Sequence, residues 1–150
     1  MRAVIQRVSE GSVKIHGEVK GQIARGLVVL VAVEEADTAE DVEWLSGKIA
    51  RLRIFPDGED VMNLSVVDAG GDMLVISQFT LFGSTRKGNR PSYIRSAGPG
   101  IAIPIYEQFL SQLAALLGRP VQSGVFGADM KVSLCNDGPV TLIIDSKLRE

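Results

Sequence analysis

One cysteine and one histidine are all this chain has of the residues most used to ligate metals and activate nucleophiles, and that scarcity removes whole reaction classes. Structural zinc takes four Cys or His ligands, and catalytic zinc usually takes two or three His. A Ser-His-Asp triad would have to use His16. That residue lies in Lys14-Ile15-His16-Gly17-Glu18, which reads as a solvent-facing hairpin tip, so His16 is not expected to be catalytic. There is no Walker lysine motif and no GxGxxG fingerprint. No metal and no cofactor is therefore expected. Cys135 cannot form an intrachain disulfide, which suits a reducing cytoplasm. Its strand-like run predicts a buried, inert thiol. No apolar run approaches the roughly 20 residues that span a bilayer. Arg7 places a second charge where a signal-peptide core would begin, so secretion is not expected.

The longest window without acidic residues lies in the middle of the chain. Net charge is −2, which argues against a broad nucleic-acid-binding face. From Met73 to Tyr106, however, there is no Asp or Glu, and Arg86, Lys87, Arg90 and Arg95 lie inside that window. On its own the window fits a solvated loop. It also fits a local cationic patch that holds a few phosphates while the acidic remainder limits non-specific binding.

At 150 residues the chain is expected to form one domain, 1–150, with Ser146–Glu150 a frayed, charged tail. Residues 2–8 read as a strand, and Ser12–Ile15 with Glu18–Ile23 read as a hairpin. Leu27–Val33 is an unbroken β-branched run that fits a strand covered on both faces. Asp37 or Thr38 can cap the next helix, with Glu40 or Asp41 as capping-box partner. Val42, Leu45, Ile49 and Leu52 fall at helical spacing, and Trp44 reads as a packing residue. Arg51–Phe55 fits a short strand ended by the Pro56-Asp57-Gly58 turn.

Met73–Phe82 reads as an apolar strand carrying Ser77, Gln78 and Thr80 near its end. Burying a Gln without partners costs a few kcal/mol, so these groups either form a core network or line a site. Gly83–Pro99 is a long basic loop, and such loops are often functional. Pro104 reads as the opening of a second helix, with Tyr106, Phe109, Leu110, Leu113, Leu116 and Leu117 as its buried stripe and Gly118 and Pro120 as its stop. Val121–Phe126 fits a further strand. Strands with two intervening helices make an α+β domain, layered in the α/β manner.

The last strands raise a separate question. Val132–Leu134 and Val140–Ile144 look buried and are separated by Asn136-Asp137-Gly138-Pro139. A tight hairpin would carry Asp-Gly and continue as a strand, but Pro139 cannot donate to a ladder. The segment reads as a rigid bend. Composition fits an ordinary proline loop; a backbone device with Gly138 open to close approach is the sharper alternative.

Ser77-Gln78-Phe79-Thr80-Leu81 and Asn136-Asp137-Gly138-Pro139-Val140-Thr141 together match a family pattern. So do the opening MRAVIQRV, Arg53-Ile54-Phe55, Met62-Asn63-Leu64-Ser65, Thr85-Arg86-Lys87-Gly88, Arg90-Pro91-Ser92 and Phe126-Gly127-Ala128-Asp129-Met130. Nearly end to end and in order, the chain resembles the D-aminoacyl-tRNA deacylase family of the DTD type. The resemblance implies a curved sheet or partial barrel with two principal helices packed on it. It implies a cytoplasmic homodimer with sites at the interface, hydrolysing the ester between a D-amino acid and the 3′ adenosine of tRNA. Glycyl-tRNA should pass too, since glycine has no side chain to exclude. In such a family Ser77, Gln78, Phe79 and Thr80 line the catalytic pocket. Gly138 and Pro139, joined by a cis peptide, reach across the dimer as the wall that rejects L-substrates. Phe126, Met130 and Asn136 contact the substrate or its terminal adenosine, and Arg86, Lys87 and Arg90 meet tRNA phosphates. Three other readings stay open: a non-catalytic tRNA-binding module using the 86–95 loop, a small-molecule hydrolase with Thr80 or Ser77 as nucleophile, and a structural oligomer.

Overall fold

Strand β1 (Arg2–Ile15) is the spine of the fold in a computed structural model that describes residues 1–150. Its carboxyl half pairs antiparallel with β2 (Glu18–Ile23), Ile15 opposite Glu18, around the exposed His16-Gly17 turn. Its amino half pairs antiparallel with β3 (Gly26–Ala32), Arg2 opposite Ala32. Its other edge carries β8 (Lys131–Asp145) along almost the whole length. Beyond β3 the sheet continues in parallel through β6 (Asp72–Ser77) and β7 (Gln122–Ser123). The order β2-β1-β3-β6-β7 curls until its ends approach. A Cβ on Gly21 of β2 would lie 3.1 Å from the Ser123 carbonyl of β7, so a glycine is what admits this near-closure.

The β3 run is buried on both faces, as its unbroken apolar sequence requires. Period-two alternation sorts it between two cores. Leu27, Val29 and Val31 face the helices, with Ile5, Met73 and Val75 beside them. Val28 packs inside the curl with Val8, Val13, Ile23, Leu74 and Ile76. Helix α1 (Ala39–Arg51) is capped at Thr38, whose N–H donates to Asp41 Oδ2 at 2.9 Å. It runs through Arg51, so the expected Arg51–Phe55 strand is reduced to β4 (Phe55–Pro56), paired with β5 (Met62–Leu64). The Val121–Phe126 strand likewise shrinks to β7.

Helix α2 (Pro99–Leu117) begins five residues before its expected start. Pro99, not Pro104, takes the first helical position, where a missing N–H costs nothing. Pro104 forfeits one bond to Gly100, and burial of Ala102 and Tyr106 on either side of it offsets that loss. Gly118, at φ 77°, ends the helix with its N–H on the Ala114 carbonyl. By length and composition α2 is long and apolar enough to cross a membrane, but its Tyr106, Phe109, Leu113 and Leu117 side belongs to the core.

Two other expectations give way. Cys135 is exposed: β8 is paired on one edge only, and alternation turns Cys135 outward while Val132 and Leu134 pack on the inner core. The tail is not frayed at its root. Ser146 is buried, its N–H donates to the Met1 carbonyl and its hydroxyl to Asp41 at 2.7 Å. The Met1 ammonium donates to Ser146 Oγ at 2.7 Å and to Asp37. Lys147 Nζ reaches Asp41 Oδ2 at 2.7 Å.

Burial alone would raise the Asp41 carboxyl, but donations from Lys147, Ser146 and Thr38 hold it well below the usual carboxylate range. Asp145 is also lowered: Lys147 N–H and Arg2 outweigh its burial. Depressed folded values stabilise the protein above the unfolded pKa, about 3.9 for Asp. That stability is lost as pH falls through this value toward the folded one. Melting temperature is therefore expected to be flat from pH 7 to 5 and to drop steeply toward pH 3. Asp41→Asn should melt lower at pH 7 and converge on the wild type in acid. Parallel melting curves at all three pH values would exclude this network as the cause.

Candidate active site

Arg7 is the residue that breaks the pattern of β1. Ala3 and Ile5 point inward, and the same alternation turns the Arg7 guanidinium inward too. It meets the Ile54 carbonyl at 2.7 Å through Nη1 and the Asp137 carbonyl at 3.2 Å through Nε, with Asp137 Oδ2 at 3.3 Å. Opposite it, the β1–β8 register jumps. Gln6 faces Thr141 and Val8 faces Asn136, so residues 137–140 all stand against Arg7 alone. The expected bend between two strands is thus a wide bulge within one strand, and β8 runs on in the same direction. Within it the Gly138–Pro139 peptide is cis and Gly138 sits at φ 123°. Both residues are exposed. Asn136 ties the base of the bulge: its Nδ2 donates to Thr141 Oγ1 at 2.8 Å and its Oδ1 accepts the Val140 N–H at 3.3 Å.

A second construction stands at the end of β6. Gln78 N–H donates the closing ladder bond to Val31 O at 2.7 Å, and the chain then winds into a 3₁₀ turn over Phe79–Phe82. The expected strand to Phe82 therefore stops at Ser77. Ser96 Oγ donates to the Phe79 carbonyl at 2.8 Å, and Arg2 Nη1 to the Leu81 carbonyl at 3.0 Å. The turn is braced at both ends. Because the first N–H groups of a helical turn have no acceptor within it, those of Phe79 and Thr80 lie outside the turn's own ladder. Gln78 is not an unpartnered amide: its Nε2 donates to Thr80 Oγ1.

Between this turn, α2 and the 126–130 turn lies a cavity of about 250 Å³. Ser77, Gln78, Phe79, Phe126 and Met130 line it, joined by Tyr106, whose ring centroid is 5.8 Å from that of Phe126. Tyr106 Oη donates to the Val75 carbonyl at 3.1 Å, and burial pushes its pKa up to about 12, so it stays protonated. The lining is mostly apolar with convergent polar groups at one end, the usual form of a small-molecule site. Five of the sequence candidates thus come together. Thr80, Asn136, Gly138 and Pro139 do not line this cavity within one chain. Arg86, Lys87 and Arg90 line a separate cavity of about 310 Å³ with Arg95. Arg7 and Ser96 carried no expected role at the site, and Tyr106 was expected only as a packing residue of the second helix. An arginine at an inward strand position was the available signal for Arg7.

Comparison with known proteins covers the same ground end to end. Residues 4–145 match the family described as D-Tyr-tRNA(Tyr) deacylase. The D-aminoacyl-tRNA deacylase of Flavobacterium johnsoniae is 58% identical over 150 residues, all of both chains. That of Opitutus terrae is 61% identical over the same span. Among solved structures, the c-Myc DNA Unwinding Element Binding Protein superposes with a TM-score of 0.92 at 37% identity, covering 97% of this chain and 98% of its own. A probable eukaryotic D-amino acid tRNA deacylase shares the fold, with a TM-score of 0.81 at 18% identity, 95% of this chain and 97% of its own. On this full-length likeness, the chain belongs to the D-Tyr-tRNA(Tyr) deacylase family.

Proposed function

We propose that this enzyme hydrolyses the ester of D-aminoacyl-tRNA, releasing free tRNA and a D-amino acid. The observation that carries the reading is the 250 Å³ cavity built on Ser77-Gln78-Phe79, in a chain with full-length likeness to the deacylases. An aminoacyl ester is already activated, so placing a water and stabilising the oxyanion suffices. Water adds to the ester carbonyl, whose oxygen takes the negative charge beside the Phe79 and Thr80 N–H groups. The carbonyl then re-forms, the bond from the acyl carbon to the ribose 3′ oxygen breaks, and that oxygen takes the proton given up by the attacking water, relayed by the neighbouring 2′-OH. Thr80 as nucleophile would need a base, and its partner is the Gln78 amide, which cannot take a proton. Phe126, Met130 and Tyr106 offer the adenine an apolar slot.

D- and L-esters carry the same groups, so a rigid steric wall has to separate them. The exposed backbone of Gly138 and Pro139 is that wall, presented by one protomer of a homodimer to the cavity of the other; within a single chain it stands away from its own cavity. Asn136 serves by holding the bulge. A tRNA substrate fits a cytoplasmic location. With matched D-, L- and glycyl-tRNA, the purified protein is expected to cleave the D- and glycyl-esters and to cleave the L-ester at least about a hundredfold more slowly, roughly 2.7 kcal/mol of discrimination. Equal rates on D and L would overturn the wall. A simple D-amino acid ester cleaved as fast as D-aminoacyl-tRNA would make it a small-molecule hydrolase.

The basic cavity favours one second reading, a tRNA-binding module without chemistry. It predicts salt-sensitive binding of tRNA and no cleavage of any ester.

A further inference from the structure

The loop after the 3₁₀ turn carries a basic cavity and, beside it, exposed apolar groups that reach back to the candidate active site through Phe79. Ser84 and Ser92 bridge its stem, and its cavity is lined by Arg86, Lys87, Arg90 and Arg95 with a single apolar residue, Ile94. No carboxylate lines it. Arg95 is the least free of the four, since it pairs with Glu34 at 3.2 Å and lies over the Phe82 ring. Beside these cations stand apolar groups that solvent should not favour. Ile94 is 90% exposed, Phe79 55% and Tyr93 39%. The Tyr93 ring meets Phe79 edge to face at 5.1 Å, and Phe79 lines the 250 Å³ cavity as well. Aromatic faces and cations therefore form one track from the candidate active site to the basic cavity.

We infer that this track, Phe79–Tyr93–Ile94 with Arg86, Lys87 and Arg90, binds a single-stranded RNA segment, the unpaired nucleotides that precede the terminal adenosine. The inference rests on the proposed tRNA substrate and names which part of it this surface takes. A duplex hides its base faces and presents phosphates alone, so it gives exposed Tyr93 and Ile94 nothing to contact. An unpaired strand offers both a base face for stacking and a phosphate for each cation. Acidic charge elsewhere on the protein confines binding to this window.

Fluorescence anisotropy with a labelled four-nucleotide RNA ending in CCA, and with a blunt RNA duplex of acceptor-stem length, tests this without any ester. The single strand is expected to bind at least tenfold more tightly than the duplex. Joint R86A, K87A and R90A substitution should weaken it at least tenfold and flatten its salt dependence by about two in log–log slope, at roughly 0.7 per phosphate contact. Tyr93→Ala should weaken binding about tenfold or more, while Tyr93→Phe keeps it. Circular dichroism melts check that each variant folds. Equal affinity for duplex and single strand, or an unchanged salt slope in the triple variant, would overturn the inference. Strand binding by a protein that cleaves no D-aminoacyl-tRNA would sink the proposed hydrolysis and leave this surface standing.

Discussion

Arg7→Ala is expected to lower the unfolding free energy by roughly 2–4 kcal/mol and to release the 136–140 bulge from the sheet. The guanidinium is nearly buried and satisfies two backbone carbonyls, those of Ile54 and Asp137. Hydrogen bonds from a charged donor contribute about 1.5–3 kcal/mol each, and a buried carbonyl left unpaired costs about 1–3. At this chain length the loss corresponds to a fall in melting temperature of about 5–15 °C. Arg7→Lys should recover little, because one ammonium cannot span both carbonyls as the planar fork does. Hydrogen exchange is the sharper readout: amides of 136–141 should exchange faster in the variant while those of β3 keep their protection relative to global stability. A variant that melts within a degree of wild type, with an unchanged bulge, would show that the bulge holds itself. Under the proposed mechanism the same variant should lose D-over-L selectivity before it loses hydrolysis.

Gly26→Ala is expected to be more severe, at about 4 kcal/mol or beyond, and to yield little soluble protein. A Cβ there would sit 1.9 Å from the Asp72 carbonyl oxygen and 2.7 Å from that residue's N and C atoms. These are backbone atoms, so no side chain can swing aside. The strands β3 and β6 would have to part at the start of their pairing, and both apolar cores are built on that pair. Gly58→Ala is the control: nothing lies within 4 Å of its added Cβ, and the change should stay within about 0.5 kcal/mol. Chemical denaturation of both variants decides it. Near-wild-type stability of Gly26→Ala would mean that the parallel pair shifts more freely than its packing implies.

What could be read in the sequence was whatever is settled locally. The β3 run declares two covered faces by lacking polar residues, and Thr38 with Asp41 declares a helix start by their spacing. Ser77 and Gln78 stood out because a polar pair ending an apolar strand needs partners. What stayed hidden depends on residues far apart in the chain. Nothing near Gly138 shows that β8 continues along β1 beyond it, since that register is set by residues 130 positions away. Ser146 looked loose for the same reason: its partners are Met1 and Asp41. Pro104 misled because burial of its neighbours outweighs one missing bond. The Cys135 side chain followed β8 alternation, which a single apolar run does not reveal.

Because β8 closes on β1, the molecule is finished in an order its synthesis cannot hurry. Strand β1 leaves a ribosome well before β8, with every other strand and both helices between them in the chain. Until β8 emerges, one whole edge of β1 has no partner, and neither the bulge nor its contact with Arg7 exists. Contacts of such long sequence separation slow folding and leave an unpaired strand edge open to other chains meanwhile. The wall proposed to discriminate between mirror-image substrates thus forms only after β8 has found β1, so the strand end and turn that carry Ser77, Gln78 and Phe79 can exist before the discrimination does.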